Sequence, residues 1–179
     1  MTKLLCAAIV AASFISCNNT MNNPLLVKST NQYEAPAFDK IKSEHFLPAF
    51  REAIKEANRE IAAIAENKEQ PTFQNTIVAL SLAGETLNRV SGIFFNILEA
   101  NTDSLLQKTA EEISPELTKH NLSILFNEKL FRRVKTIYDK KDELNLDKED
   151  TKLLKETYKL FADNGANLSK EDKDKFQKI

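Results

Sequence analysis

A long run of apolar residues at helical spacing constrains the fold of this chain more than any other sequence feature. Steps of three or four residues separate Phe73, Ile77, Leu80, Gly84, Leu87, Ser91, Phe94 and Leu98. This spacing places the side chains on one face of an α-helix, whereas a half-buried strand would need strict alternation. The run predicts one continuous helix over residues 73–98, in which the small residues let a neighbouring helix approach closely.

Composition extends this prediction to the whole chain. Only three glycines and five prolines occur in 179 residues, so the chain lacks the turn residues that a many-stranded sheet requires. The formal net charge is −1, with acidic and basic residues interspersed, which removes the electrostatic argument for a nucleic-acid partner. We predict an all-α fold of antiparallel amphipathic helices and no binding to nucleic acid.

Four other stretches show helical patterns, and they are numbered in chain order with residues 73–98 as the second. The first has the apolar residues Phe46, Phe50, Ile54, Ala57, Ile61 and Ile64. The third has Leu105, Thr109, Ile113, Leu117, His120 and Ile124. The fourth has Leu130, Val134 and Ile137, flanked by Phe131 and Tyr138. The last is "KEDTKLLKETYKLFAD", residues 148–163.

Polar residues and prolines mark the predicted helix ends. Ser43, Thr72, Asn127 and Asp147 are of the types that favour the N-cap position, and the pair Asn164–Gly165 suits a left-handed C-terminal stop. Pro48 lies at a helix start, where its missing amide hydrogen costs least. Pro115 should kink or divide the third helix. A further cap at Ser169 begins a pattern that stops at Ile179, so we expect this sequence to be a piece of a longer protein.

The first seventeen residues have the features of an export signal. Lys3 precedes an apolar run that is shorter than the roughly 20 residues needed to span a bilayer but suits a secretory signal. The ending "FISC" resembles a bacterial lipobox, which makes Cys17 the predicted lipid anchor. The alternative is an ordinary signal peptide cut nearby, which would leave Cys17 as a free thiol. Because the other cysteine, Cys6, lies in the same leader, no internal disulfide is expected.

These observations divide the chain into three parts. Residues 1–17 are the predicted signal peptide, residues 18–37 a tether and irregular arm, and residues 38–179 a helical lobe. A lipid on Cys17 would hold the protein in the bacterial cell envelope. We expect it at the outer membrane or in the periplasm.

The two histidines do not describe a catalytic metal site. Zinc peptidases place two histidines one helical turn apart, in the order His-Glu-Xaa-Xaa-His. Here the order is Glu44–His45, Ala49 occupies the position one turn later, and His120 lies on another element. Two imidazoles leave a zinc site short of the usual three protein ligands. We interpret His45 as part of a helix start and His120 as a hydrogen-bonded interior residue.

No other pattern describes an active site. The chain has no Gly-x-Ser-x-Gly nucleophile elbow and no glycine-rich phosphate loop. The acidic pairs Glu111–Glu112 and Glu149–Asp150 are typical of solvated helix faces. The basic run "FRRVK" is offset by the neighbouring "YDKKDE". We therefore assign no catalytic residue and no metal ligand within this sequence.

Several longer stretches, in order from Asn23 onward, carry a resemblance to a known family. They are "NPLL", "YEAPAFDKIKSEHFLPAF", "EIAAIAEN", "PTFQNTIVALSLAGETLNRVSGIFFNILEANTD", "LFRRVKTIYD" and "LLKETYKLFADNGANLS". They resemble the amino-terminal region of bacterial peptidyl-dipeptidases of the Dcp type, which belong to the thimet oligopeptidase family of zinc metallopeptidases. The resemblance covers nearly all of the chain beyond the leader.

The resemblance implies a helical clamshell enzyme that removes dipeptides from the carboxyl terminus of short peptides. In that family the zinc-binding residues lie downstream of the matched region, so none is carried over to this sequence. The segment is expected to form a channel wall in the amino-terminal lobe and to be inactive alone. Its partners would be short peptides and its own missing catalytic region. The alternative is a non-catalytic helical lipoprotein that binds peptides or a partner protein.

Overall fold

The computed structural model describes residues 23–168, and this part of the chain consists of helices joined by turns, without a strand. This confirms the all-α class. The predicted signal peptide, Cys17, the start of the tether and the Ser169 cap lie outside the described residues. The helices are α1 (Phe46–Ala65), α2 (Ala79–Leu82), α3 (Glu85–Ala100), α4 (Ser104–Leu125), α5 (Glu128–Tyr138) and α6 (Lys148–Asp163). A wider π-helical turn, Phe73–Val78, precedes α2, and 3-10 turns occupy Gln32–Glu34, Ser43–His45 and Lys141–Glu143.

Helix α1 is the element that both hydrophobic cores share. Its 20 residues span about 30 Å. The amino-terminal half of α1 packs against α3, α4 and the arm, and we call this cluster the first core. Its buried residues are Leu25, Phe46, Ala49, Phe50, Ala53, Ala57, Leu87, Val90, Phe94, Leu106 and Ile113.

The carboxyl-terminal end of α1 enters a second core with the π-helical turn, α5 and α6. The buried residues of this second core are Ile61, Ile64, Ala65, Phe73, Ile77, Leu130, Phe131, Val134, Ile137, Leu154, Phe161 and Ala166. The predicted apolar faces of the first and fourth helical stretches are therefore buried as expected. Because a single rigid helix belongs to both cores, α1 fixes their relative position.

The prediction of one continuous helix over residues 73–98 is wrong. The π-helical turn and α2 end at Leu82, Ala83 is extended with φ −64° and ψ 140°, and Gly84 has φ 78° before α3 begins. The amide of Gly84 donates a hydrogen bond to Oε2 of Glu60 on α1 at 2.7 Å. A contact with another helix thus replaces the intrahelical bond. The apolar spacing continues through the break because both segments face the same cores.

The predicted close approach of a neighbouring helix does not require glycine at position 84. A Cβ at this position would lie 3.6 Å from the Cβ of Ala57, an ordinary contact distance. The restriction at this position therefore comes from the left-handed backbone, which side chains with a Cβ disfavour.

We expect Gly84→Ala to lower the free energy of unfolding by about 1–2 kcal/mol, because alanine is strained at this φ. The matched control is Gly92→Ala on α3, where a Cβ would meet no atom within 4 Å. That change should raise stability by about 0.5–1 kcal/mol through helix propensity. Urea denaturation of the two variants measures both effects. Equal stabilities for the two variants would contradict the left-handed role of Gly84.

Most of the predicted caps are confirmed. The side-chain oxygens of Thr72, Asn127 and Asp147 accept hydrogen bonds from amides three residues further along, at 3.1, 3.0 and 2.8 Å. Gly165 has φ 83° directly after α6, which is the predicted left-handed stop. These motifs involve neighbours within a few residues, which is why the local sequence suffices to predict them.

Ser43 is not the N-cap of α1. Helix α1 begins at Phe46, after the 3-10 turn that contains Ser43. The Ser43 hydroxyl instead donates to Oδ2 of Asp103 at 2.5 Å. Asp103 also caps α4 by accepting from the amide of Leu106 at 2.8 Å, and these hydrogen bonds lower the pKa of the Asp103 carboxyl. Ser43 therefore joins the start of α1 to the start of α4.

Helix α4 differs from its prediction in two respects. It continues through Pro115, so of the two predicted effects, a kink or a division, the division does not occur. Pro115 is exposed while Ile113 is buried in the first core, and burial of the opposite face stabilises the helix around the one missing hydrogen bond. Near the start of α4, Leu105 is 43% exposed and Leu106 is 2% exposed. The buried face of α4 therefore begins at Leu106, one residue after the predicted position, Leu105.

Candidate functional site

His45 closes the turn at the start of α1. Its Nδ1 accepts a hydrogen bond from the backbone amide of Lys42 at 3.1 Å. Its backbone carbonyl accepts from the side-chain amide of Asn23 at 2.7 Å, which attaches the arm to this turn. Glu44 next to it is exposed, with its carboxylate 4.0 Å from Nζ of Lys42. The structure therefore places His45 at a helix start, as predicted.

His120 is an interior histidine, also as predicted. It is 7% exposed, and its Nδ1 lies 2.8 Å from Oδ1 of Asn58 on α1. Because that oxygen can only accept, Nδ1 carries the hydrogen in this pair. Burial lowers the pKa of His120 below its ordinary value, since the charged imidazolium loses solvation.

The lowered pKa of His120 predicts a loss of stability in acid. In the unfolded chain the imidazole titrates near 6.5, whereas the folded pKa is lower. Between these values the unfolded state binds more protons, so the free energy of unfolding falls as the pH drops from about 6.5 toward the folded pKa. The urea midpoint should decrease over this range, and His120→Gln should show a smaller decrease. Parallel pH profiles for wild type and His120→Gln would contradict the assignment.

The described residues do not fit a zinc site. Within residues 23–168 no group of three or more His, Cys, Asp or Glu side chains is placed to hold a metal ion. Nδ1 of His45 and Nδ1 of His120 are both engaged in hydrogen bonds within the protein.

Arg133 is the important charged residue that sequence reasoning missed. It is 7% exposed, and its guanidinium donates to four oxygens on the connection between α1 and α2. Nη1 donates to the carbonyls of Asn67 and Glu69 at 2.9 and 3.0 Å. Nε donates to Oγ1 of Thr76 at 3.2 Å, and Nη2 to Oδ1 of Asn75 at 3.0 Å. Arg133 thus ties α5 to residues 67–76.

The sequence contains one signal that Arg133 is buried. Arg133 lies three residues after Leu130 and four before Ile137, so it falls on the apolar face of α5. A charged residue in that position is expected either to be buried with partners or to break the face. The two arginines of "FRRVK" therefore differ in environment, because Arg132 is exposed and Arg133 is buried.

A cavity of about 190 Å³ lies between α3 and residues 24–41, which comprise the arm and the residues that follow it, and we call it the arm pocket. The sequence did not predict it. Its apolar lining includes Pro24, Val27, Pro36, Ile41 and Ile93. Its charged lining consists of Lys28, Glu34, Lys40 and Arg89. Both hydrophobic surface and charged groups therefore face one small space, as in sites for small ligands.

Arg89 is incompletely paired at this pocket. Its Nη2 donates to the carbonyl of Leu25 over a long 3.4 Å. Its Nε is buried and has no hydrogen-bond partner among the described residues. Buried donors are nearly always paired in folded proteins, so an exception calls for an explanation.

Among the helices of residues 23–168, none is both long enough and apolar enough to cross a bilayer. Cys17, the predicted lipid anchor, lies outside the described residues.

Comparison with known proteins identifies relatives of this chain. No family profile matches it. Dipeptidyl carboxypeptidase of Escherichia coli K12 is 41% identical over 158 residues, which are 88% of this chain and 23% of that protein. Dipeptidyl carboxypeptidase of Salmonella typhimurium is 39% identical over 151 residues, 84% of this chain and 22% of the relative. Thimet-like oligopeptidase of Dictyostelium discoideum is 26% identical over 155 residues, 85% of this chain and 21% of the relative.

The chain thus spans less than a quarter of the length of these relatives. The similarity nevertheless covers most of its own length, and it confirms the resemblance carried by the stretches quoted above. The chain belongs to the thimet oligopeptidase family, in which its sequence is similar to one part of the dipeptidyl carboxypeptidases.

Proposed function

We propose that this chain is the amino-terminal part of an exported zinc metallopeptidase that removes dipeptides from the carboxyl terminus of short peptides. The observation that carries the proposal is the 41% identity with a dipeptidyl carboxypeptidase over 158 residues. In the proposed enzyme the helices of this segment form a wall of the peptide channel. The zinc and the residues that hold it would belong to another part of the protein.

The packing of the segment is consistent with the role of a rigid wall. A channel wall has to keep its shape while peptides pass, and α1 links both cores through one continuous helix. Arg133 holds the connection after α1 with four hydrogen bonds. Ser43 and Asp103 join the starts of α1 and α4. Such cross-links restrict the movement of one helix relative to the next.

The proposal predicts that residues 1–179 alone release no dipeptides from a peptide with a free carboxyl terminus, even with added zinc. The longer protein encoded by the same reading frame should release them and should lose this activity with a chelator. Mass spectrometry of the products measures both results. The control substrate is the same peptide with an amidated carboxyl terminus, which the longer protein should not cleave.

Two outcomes would change this view. Chelator-sensitive dipeptide release by residues 1–179 alone would contradict the assignment of the zinc to another part of the protein. A longer protein without peptidase activity, together with a chain that binds peptides, would favour the alternative of a non-catalytic binding lipoprotein.

Export and lipid anchoring form a separate part of the proposal, and they depend only on the sequence of residues 1–17. We propose that Cys17 becomes the first mature residue and carries the lipid, which would anchor the protein in the bacterial cell envelope, at the outer membrane or in the periplasm. Mass spectrometry of membrane-extracted protein should find an acylated amino terminus at Cys17. An unmodified amine on a neighbouring residue would contradict this, and Cys17→Ala is the control for membrane retention.

A further inference from the structure

We infer that the arm pocket is a binding site for a carboxylate that carries a small apolar substituent, with Arg89 as the residue that holds the carboxylate. This goes beyond the proposed peptidase function and does not depend on it. The site belongs entirely to residues 24–41 and α3. It can therefore be tested on the 179-residue chain, whether or not that chain belongs to a longer enzyme.

The first argument is the hydrogen bonding of Arg89. A guanidinium has five N–H donors in a planar fork that matches a carboxylate. Within residues 23–168, the side chain of Arg89 makes a single hydrogen bond, to the Leu25 carbonyl at 3.4 Å. Its Nε is closed off from water, so the contact with a ligand is assigned to the terminal nitrogens. An anion there would accept from Nη1, which has no partner in the described residues, and from Nη2, whose one bond is long, while Nε would stay unpaired.

The second argument is the charge of the lining. Lys28, Lys40 and Arg89 carry three positive charges, whereas Glu34 is the one acidic residue in the lining. Glu34 is paired with Lys28, with Oε1 3.0 Å from Nζ, and Glu85 also acts on Lys28 from α3. Neither Lys40 nor Arg89 forms an ion pair within the described part of the chain. The pocket thus has a surplus of positive charge on its Lys40 and Arg89 side.

The third argument is the shape and apolar surface of the cavity. About 190 Å³ of space accommodates a small molecule or the last residue of a peptide, whose remaining part would leave through the opening. Val27, Pro36 and Ile93 provide apolar surface beside the cations. A multiply charged anion would gain little from that surface. A singly charged carboxylate with a short aliphatic group would place its charge near Lys40 and Arg89 and its aliphatic group against the apolar lining.

The test is an NMR titration of the 179-residue chain with N-acetyl-leucine. Its matched control is N-acetyl-leucinamide, which has the same shape without the charge. The acid should shift the methyl signals of Ile41 and Ile93 and the side-chain signal of Arg89. The amide should bind at least about tenfold more weakly, because a charge-assisted, forked hydrogen-bond pair is lost.

Variants assign the binding to the pocket. Arg89→Gln should weaken binding of the acid at least about tenfold, and Lys40→Gln, an exposed position, by a few-fold. Arg51→Gln is the control, since Arg51 lies on α1 and pairs with Glu112 and Glu116 instead of lining this pocket. Equal affinity for acid and amide, unchanged affinity in both pocket variants, or no shifts with the acid would overturn the proposal. Lys40→Gln keeps the test decisive if Arg89→Gln fails to fold.

A final comparison identifies the source of the carboxylate. The peptide Ala-Ala-Leu with a free carboxyl terminus is titrated beside its amidated form. Binding of the free peptide at least as tight as that of N-acetyl-leucine identifies the carboxyl terminus of a peptide as a ligand. Exclusion of the peptide while N-acetyl-leucine binds identifies a free small acid.

Discussion

Replacing Phe94 by alanine is expected to lower the free energy of unfolding by about 3–5 kcal/mol, as is usual for a fully buried phenylalanine. Phe94 is 0% exposed and lies at the centre of the first core. Its ring centroid is 5.1 Å from that of Phe46 and 5.1 Å from that of Phe50. Truncation therefore removes these two aromatic contacts and a third, with Phe95 at 5.1 Å, and leaves a cavity between α1 and α3.

The matched control for this prediction is the next residue. Phe95 is 39% exposed, so Phe95→Ala removes a side chain of the same size that buries much less surface. We expect a loss of at most about 1 kcal/mol for this change. Urea denaturation of both variants gives the comparison. If Phe95→Ala were as damaging as Phe94→Ala, the first core would not have the arrangement described.

Replacing Arg133 by alanine is expected to cost about 3 kcal/mol. Four charge-assisted hydrogen bonds disappear, each with a net value of about 1.5 kcal/mol or more. The carbonyls of Asn67 and Glu69 belong to a partly exposed connection and can partly regain water. The total is therefore smaller than the sum of four bonds.

Two further variants separate the charge of Arg133 from its geometry. Arg133→Lys keeps the charge but not the planar fork, so it should recover only part of the loss. Arg132→Ala changes the exposed neighbour and should stay within about 0.5 kcal/mol of wild type. Hydrogen exchange should also accelerate in residues 67–76 of Arg133→Ala, since these residues lose their tie to α5. Stability within about 1 kcal/mol of wild type would show that the four bonds contribute little.

The Phe94→Ala and Arg133→Ala variants also test whether the chain unfolds as one unit. Phe94 belongs to the first core, whereas Arg133 lies beside the second. Because α1 is part of both cores, disruption of either should lower the stability of the other. We expect a single cooperative transition in both variants. A second transition in either variant would show that the cores unfold separately.

Much of the helical structure was predictable because it depends on short-range interactions. The caps at Thr72, Asn127 and Asp147 bind amides only three residues away. The stop at Gly165 requires one left-handed residue that only glycine adopts at little cost. His45 likewise bonds to an amide three residues earlier. In each case the donor and acceptor are close in sequence, so the pattern of residue types carries the information.

The errors have a common physical origin in contacts between distant residues. The break at Gly84 depends on Glu60 of another helix. Ser43 donates a hydrogen bond to Asp103 instead of capping α1, and Arg133 donates one to the carbonyl of Asn67. No local preference identifies such partners. The pattern of apolar residues shows which face is buried but not where the chain bends while keeping that face inward.

The sequence by itself determined the helical class, most of the helix-capping residues and the membership in the thimet oligopeptidase family. Each of these depends on residue types at short spacing or on extended similarity. Only the tertiary structure decided that α1 joins two cores, that the predicted second helix is interrupted, and that the arm and α3 enclose a pocket around Arg89. Those features arise when segments far apart in the chain meet. Whether a buried charge finds partners there depends on packing, which the sequence pattern does not specify.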